Sequence, residues 1–207
     1  MTIILPLLML MLIFTVVATC FTEGIWGNLV RLINVITAGL LAMTFFEPLA
    51  RALDSWQPSY TYLWDFLSLW GLFGVFLLVF REISDRVSHV NVRFLKLADR
   101  IGGVVLSLWI GWVMVCFTMM TLHTAPLGRT FMFGGFSAEK DASMMFGMAS
   151  PDVEWLGFTY KMANGAFAGF DTPEEVDRLT EFMPKYASRR TELEKHVTAR
   201  DSLLTGP

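Results

Sequence analysis

From Ile101 to Leu122 the chain carries no charged side chain, and the next one is Arg129. As a helix that stretch covers about 33 Å, enough for the ~30 Å hydrocarbon core of a bilayer. Such a run has few destinies: it crosses a membrane or is buried on every side. Three further apolar runs precede it. The chain therefore reads as all-α, a polytopic membrane helix bundle. Four transmembrane helices are expected, at about 3–22, 32–50, 60–80 and 101–122. An amphipathic helical link fills 81–100, and a helical, partly flexible tail over 126–207 is exported. Residues 1–125 form the membrane domain. Hydrophobic residues make up 54% and the mean hydropathy is +0.52, whereas soluble chains sit at about 45–50% apolar.

The first run, Thr2 to Thr22, has no charge before Glu23. A cleaved signal peptide is the competing reading. Against it, no Lys or Arg precedes the apolar region, and that region exceeds the usual signal core. Glu23-Gly24-Ile25-Trp26-Gly27-Asn28 has the glycines and Asn of a tight connection. Arg31 and Glu47 bound the second run, which spans only if both reach toward the headgroups. Asn34, Ala38 and Ala42 share a face by helical spacing. The link to the third run carries Pro58 with Trp56, Tyr60, Tyr62 and Trp64, an aromatic belt of the kind found at membrane–water boundaries. Glu47, Arg51 and Asp65 lie close to membrane level. Ionisable groups there are functional candidates by default, although Glu47 and Arg51 can also pair at i, i+4 and Asp65 can serve as a cap.

Over 81–100, Ile83, Val87, Val90, Phe94, Leu97 and Ile101 step by four and three, a helical apolar stripe. Arg86, His89, Arg93, Lys96 and Arg100 each stand one residue earlier than a stripe member. An apolar face flanked by cations suits a helix lying on an anionic membrane surface. A solvated helical link with core contacts on one side satisfies the same pattern, and both readings stand.

In the last run, Asp99-Arg100 marks the start, and Gly103, Ser107 and Gly111 recur every fourth residue. That spacing puts three small residues on one face, where another backbone can come close. After it, His123 and Pro126 mark the exit, and His123 reads as an interface residue. Gly134-Gly135 interrupts any helix. Ser150-Pro151-Asp152 reads as a helix start, with Trp155, Phe158 and Met162 on one face. Thr172-Pro173-Glu174-Glu175 is a capping box, and after Pro184 a charged helix is expected to about Arg200. Large apolar residues are too few in the tail for an independent core.

Basic residues mark the cytoplasmic side. Five of them (Arg81, Arg86, Arg93, Lys96, Arg100) lie between the third and fourth runs, and Arg31 flanks the first connection. Arg51 alone lies in the aromatic link. Both termini and that link are therefore expected outside the cytoplasm. The net charge of −3 is no nucleic-acid signature. Cys20 and Cys116 form no CxxC pair and read as small packing residues. With no Gly-rich phosphate loop and no metal-ligand run, no cofactor and no metal are expected.

The Asp99-Arg100 pair, Gly103 three residues after the Arg, and the further small residues Ser107 and Gly111 resemble the signature of the colicin V production protein (CvpA) family. Gly27 and Gly39, twelve apart, fit that family's first connection. Ser107 stands where Gly is usual, Ile110 where a basic residue is frequent, and Trp26 where a basic residue is usual. The resemblance covers about residues 1–125. It implies a four-span protein of the bacterial inner membrane, linked to colicin V or toxin production or export and to envelope homeostasis. Some relatives carry an exported serine protease on the same membrane unit. This tail has no Gly-Asp-Ser-Gly, no Gly-x-Ser-x-Gly and no defensible His–Asp–Ser set, so no enzyme is expected. A membrane scaffold or accessory component is the first expectation, with the lipid bilayer and copies of itself or other envelope proteins as partners, and no nucleic acid. A channel or transporter component is the alternative.

Overall fold

A computed structural model of the chain describes residues 4–87, 95–127, 150–165 and 173–205. These residues form six α-helices and no strand: α1 (Ile4–Cys20), α2 (Ile25–Trp56), α3 (Thr61–Val87), α4 (Lys96–Leu122), α5 (Pro151–Asn164) and α6 (Pro173–Thr205). A single 3-10 turn, Pro58–Tyr60, joins α2 to α3. Three stretches are long and apolar enough to cross a membrane: Ile25–Trp56, Pro58–Val87 and Lys96–Leu122. The fourth apolar helix, α1, has 17 residues, about 25 Å at 1.5 Å per residue.

The helices outrun the apolar runs that seed them. α2 extends through Arg51 and Asp54 to Trp56: Pro48 inside it removes one ladder hydrogen bond, but Leu, Ala and Arg beyond it are good helix formers and carry the helix on to its cap at Gln57. The helix expected across 81–100 is not continuous. Residues 81–87 complete α3, Leu95 is extended at ψ 129° and lies outside a helix, and Lys96 begins α4. Arg86 therefore belongs to α3 while Lys96 and Arg100 belong to α4. His89 and Arg93 of the same stripe lie outside the described residues, as do Gly134-Gly135 and Thr172 of the capping box.

α4 is the hub. α1 packs along one side of it, with Leu5 and Met9 against Val115 and Met119. α2 and α5 pack on its other faces, and α3 lies chiefly on α2. The core is aromatic where these meet. Phe117 of α4 stacks on Phe73 of α3 at 4.4 Å between centroids, meets Trp70 edge-on at 5.7 Å, and meets Trp155 of α5 at 5.4 Å.

The sequence reading sets the tail apart from the bundle. In the structure, Trp155 and Leu156 of α5 and Phe182, Met183 and Tyr186 of α6 are buried in the same core as Phe46, Phe73 and Phe117. α5 begins at Pro151, as the Ser-Pro-Asp pattern predicts, and α6 runs through Pro184 as one helix.

Candidate functional site

Polar chemistry collects at the two ends of the bundle. At one end stand the α1–α2 turn, the end of α3 and the start of α4. There Asp99 Oδ1 accepts the Ile25 backbone N–H at 2.8 Å. A carboxylate from α4 thus caps the amino end of α2, where Gly24 itself provides no side chain. A Cβ at Gly24 would collide with that carboxylate. Asn28 is fully buried, and its Nδ2 lies 3.2, 3.1 and 3.0 Å from the carbonyls of Cys20, Glu23 and Gly103. One side-chain amide therefore ties the turn to α4. Gly103 is the close approach that permits this: a Cβ there would sit 2.9 Å from the Glu23 carbonyl oxygen.

The remaining small residues meet different partners. A Cβ on Gly111 would lie 3.2 Å from Ile13 Cγ2 of α1, and one on Gly39 would lie 2.7 Å from the Trp155 ring of α5. At Gly27 a Cβ would come 3.0 Å from the Glu23 carboxylate. Ser107 is fully buried, with its hydroxyl donating to Val104 O at 2.8 Å. Arg100 lies 5.7 Å from the Phe21 ring centroid. Arg31 pairs with Glu23 and reaches Cys20 Sγ. Asn34 of α2 and Ser84 of α3 exchange hydrogen bonds at 3.0 and 3.1 Å. Between these groups opens a cavity of about 1210 Å3, lined by residues of α1 to α4.

The other end holds the α2–α3 connection, the end of α4, the start of α5 and the middle of α6. His123 is 1% exposed. Its Nε2 lies 2.8 Å from Asp152 Oδ2 and its Nδ1 lies 2.9 Å from a guanidinium nitrogen of Arg190. A guanidinium can only donate, so Nδ1 accepts and Nε2 carries the proton that Asp152 receives. With both nitrogens engaged, the imidazole acts as a strut joining α4, α5 and α6. Burial lowers the pKa of Arg190, and Glu194 opposes that shift.

Beside it, α6 brings two cations one turn apart onto the two carboxylates. Lys185 Nζ donates to Glu47 Oε1 at 2.7 Å. Arg189 pairs with Asp65 and donates to the Thr61 carbonyl at 3.2 Å, with Tyr62 and Tyr186 each 5.8 Å from its guanidinium carbon. Burial pushes the Tyr186 phenol above its ordinary range, and the Asp65 and Glu47 carboxylates add to that. Arg51 is exposed, 3.9 Å from Glu47. Lower along α4, Trp112 Nε1 donates to Glu154 Oε2 at 3.1 Å.

The structure thus joins Asp99 and Gly103 at one end and Glu47 and Asp65 at the other. It leaves Arg51 and Arg86 on the surface. Sequence reasoning missed Asn28, Asp152, Lys185, Arg189 and Arg190 as contact residues. It took Asn28 for a turn former and His123 for an interface residue, and nothing in the spacing announces partners so far away in the chain.

A family model described as Colicin V production protein matches residues 5–148. No curated protein and no solved structure matches the chain.

Proposed function

The chain belongs to the colicin V production protein family, and from that premise we propose that it is a non-enzymatic scaffold or accessory component of the bacterial inner membrane. Its role concerns colicin V or toxin production or export and envelope homeostasis. α1 serves as a fourth span beside the three long apolar helices, with flanking residues or local bilayer thinning making up its length. Connections α1–α2 and α3–α4 face the cytoplasm. Both termini, the aromatic link and the tail face outward.

The observation that carries this reading is the engagement of the two membrane-level carboxylates. Glu47 is held by Lys185 and Asp65 by Arg189. Groups fixed to partners in this way serve architecture, clasping the tail to the bundle. The small-residue faces close the bundle itself, against the Glu23 carbonyl, Ile13 and Trp155, and the tail supplies contacts to further copies or to other envelope proteins. Pulldown after mild solubilisation tests this: a partner or a homo-oligomer is expected, and a lone monomer counts against it. Reporter fusions to the tail test the orientation, and a cytoplasmic signal overturns it.

The second reading is a channel or transporter component for ions or small solutes. The cavity of about 1210 Å3, with Arg31, Arg81 and Lys96 among its lining residues, favours it. Liposome flux that is unchanged in Glu47→Gln and Asp65→Asn variants removes those carboxylates from any such path.

A further inference from the structure

The His123 strut holds all three helices only while its ring is neutral. Asp152 of α5 faces Nε2 at 2.8 Å, and Arg190 of α6 faces Nδ1 at 2.9 Å. The ring is fully buried, and the Asp152 side chain is 2% exposed. Among the described residues, Asp152 Oδ1 has no hydrogen-bond partner. A buried carboxylate in that state gains from a full positive charge beside it. A proton added at Nδ1 supplies that charge, and Asp152 then faces an imidazolium. The same proton takes up the lone pair that accepts from Arg190. Two donors, both cationic, are then set against each other where one hydrogen bond stood. One protonation thus strengthens the α4–α5 contact and breaks the α4–α6 contact.

The surroundings fix what the site can respond to. Tyr62 and Asp65 of α3 and Tyr186, Arg189 and Arg190 of α6 share with His123 the lining of a cavity of about 10 Å3, room for about one water. A space of that size holds no organic solute, so the input is a proton. The other carboxylates near this end are engaged: Asp65 by Arg189, Glu47 of α2 by Lys185, and Glu154 of α5 by the Trp112 indole. Glu194, one turn further along α6, supports the Arg190 charge against burial and keeps that support once Arg190 leaves the ring. Upstream, Phe182, Met183 and Tyr186 seat α6 in the core. Release is therefore confined to the part of α6 from Arg190 onward.

We propose that His123 is a pH-sensitive clasp, which joins α4, α5 and α6 when neutral and, on acidification, keeps α5 and sheds the end of α6. The sign follows from proton linkage. The open form binds one more proton than the closed form, so the clasp loses stability as pH falls through the imidazole range. The clasp works whichever way the protein faces. In the orientation proposed above it reads the pH outside the cytoplasm.

The test is hydrogen exchange of the full chain in nanodiscs at about pH 7.5 and about pH 5.5, either side of the imidazole range. Each rate is divided by the intrinsic rate at that pH. Amides of α6 beyond Arg190 should open about tenfold more often in acid, the ratio for one imidazole that titrates near about pH 6.5 only in the open form. Amides of α5 should keep their protection. His123→Gln retains one acceptor and one donor and cannot titrate, so the pH response should vanish with α6 held under both conditions. Arg190→Gln removes the repelled charge and should also abolish the response. His196→Gln, at an exposed position of α6, should leave it intact. A response that survives in His123→Gln belongs to other groups and overturns the proposal. So does wild-type exchange in α6 that is the same under both conditions. If His123→Gln fails to fold, NMR of the imidazole nitrogens in the wild type decides. A neutral ring protonated at Nε2 is expected at the higher pH and a doubly protonated ring at the lower, and a ring unchanged between them overturns the clasp.

Discussion

The two ends of the bundle are closed by different chemistry. At the Gly103 end the contacts that tie the α1–α2 turn to α4 finish on backbone groups: a capped amide, three carbonyls around Asn28, and a glycine that lets the turn lie against α4. At the His123 end the partners are side chains, most of them charged, brought by helices that follow the apolar bundle in the chain. The first kind of closure depends on shape and tolerates little change in volume. The second depends on pairing, and its cost falls on whichever partner is left buried alone.

The largest expected effect lies at the charged end. His123→Leu strands the Asp152 carboxylate, which is 1% exposed, and should cost about 3–5 kcal/mol in reversible unfolding in detergent. A loss below that of any substitution at the Gly103 end would erase the contrast. Next comes Gly103→Leu. The added side chain meets a backbone oxygen that cannot move aside by changing rotamer, so overpacking should cost at least about 1–3 kcal/mol. Leu108→Ala on the same helix removes a half-exposed side chain and should shift the melting temperature far less. Equal tolerance of these two substitutions would break the close-packing account.

Asp99→Ala separates capping from packing. It removes an acceptor and adds no volume, so about 1 kcal/mol is expected, as for loss of an ordinary cap. Hydrogen exchange should rise at the first amides of α2 and stay unchanged around His123. The smallest effect belongs to Lys185→Ala. That pair is partly exposed and should contribute less than about 1 kcal/mol, measured in a double-mutant cycle with Glu47→Gln. A coupling as large as the His123 loss would mean that the whole charged end acts as one network.

The contrast also sorts what a reader of the sequence can find. Uncharged runs announce α2, α3 and α4 because lipid leaves a helix no other way to satisfy its backbone. Gly103, Ser107 and Gly111 announce a close face because helical spacing is local. The cap on Ile25 is half legible: Asp99 stands out at the start of an apolar run, but its acceptor role depends on a turn 74 residues earlier. The pairs Lys185–Glu47 and Arg189–Asp65 are separated by 138 and 124 residues, and α6 reads as an ordinary charged helix. Trp155 likewise reads as one aromatic on a short amphipathic helix. Its berth exists because Gly39 has no side chain, and Gly39 stands out in the sequence only for its distance from Gly27. Helix ends are less legible than helix centres: α2 continues past Ala50 into residues that favour helix on propensity, and the helical stripe over 81–100 gives no sign that Leu95 lies outside a helix.

The cap supplied by Asp99 also sets an order of events at the ribosome. Chains grow at about 5–20 residues per second, so the 74 residues between Ile25 and Asp99 take about 4–15 s to make. Throughout that interval the first turn of α2 exists without that acceptor. The amino end of α2 is therefore closed only after α3 has been made and α4 begun, and the cap belongs to the last stage of assembling the bundle rather than to the folding of α2 alone.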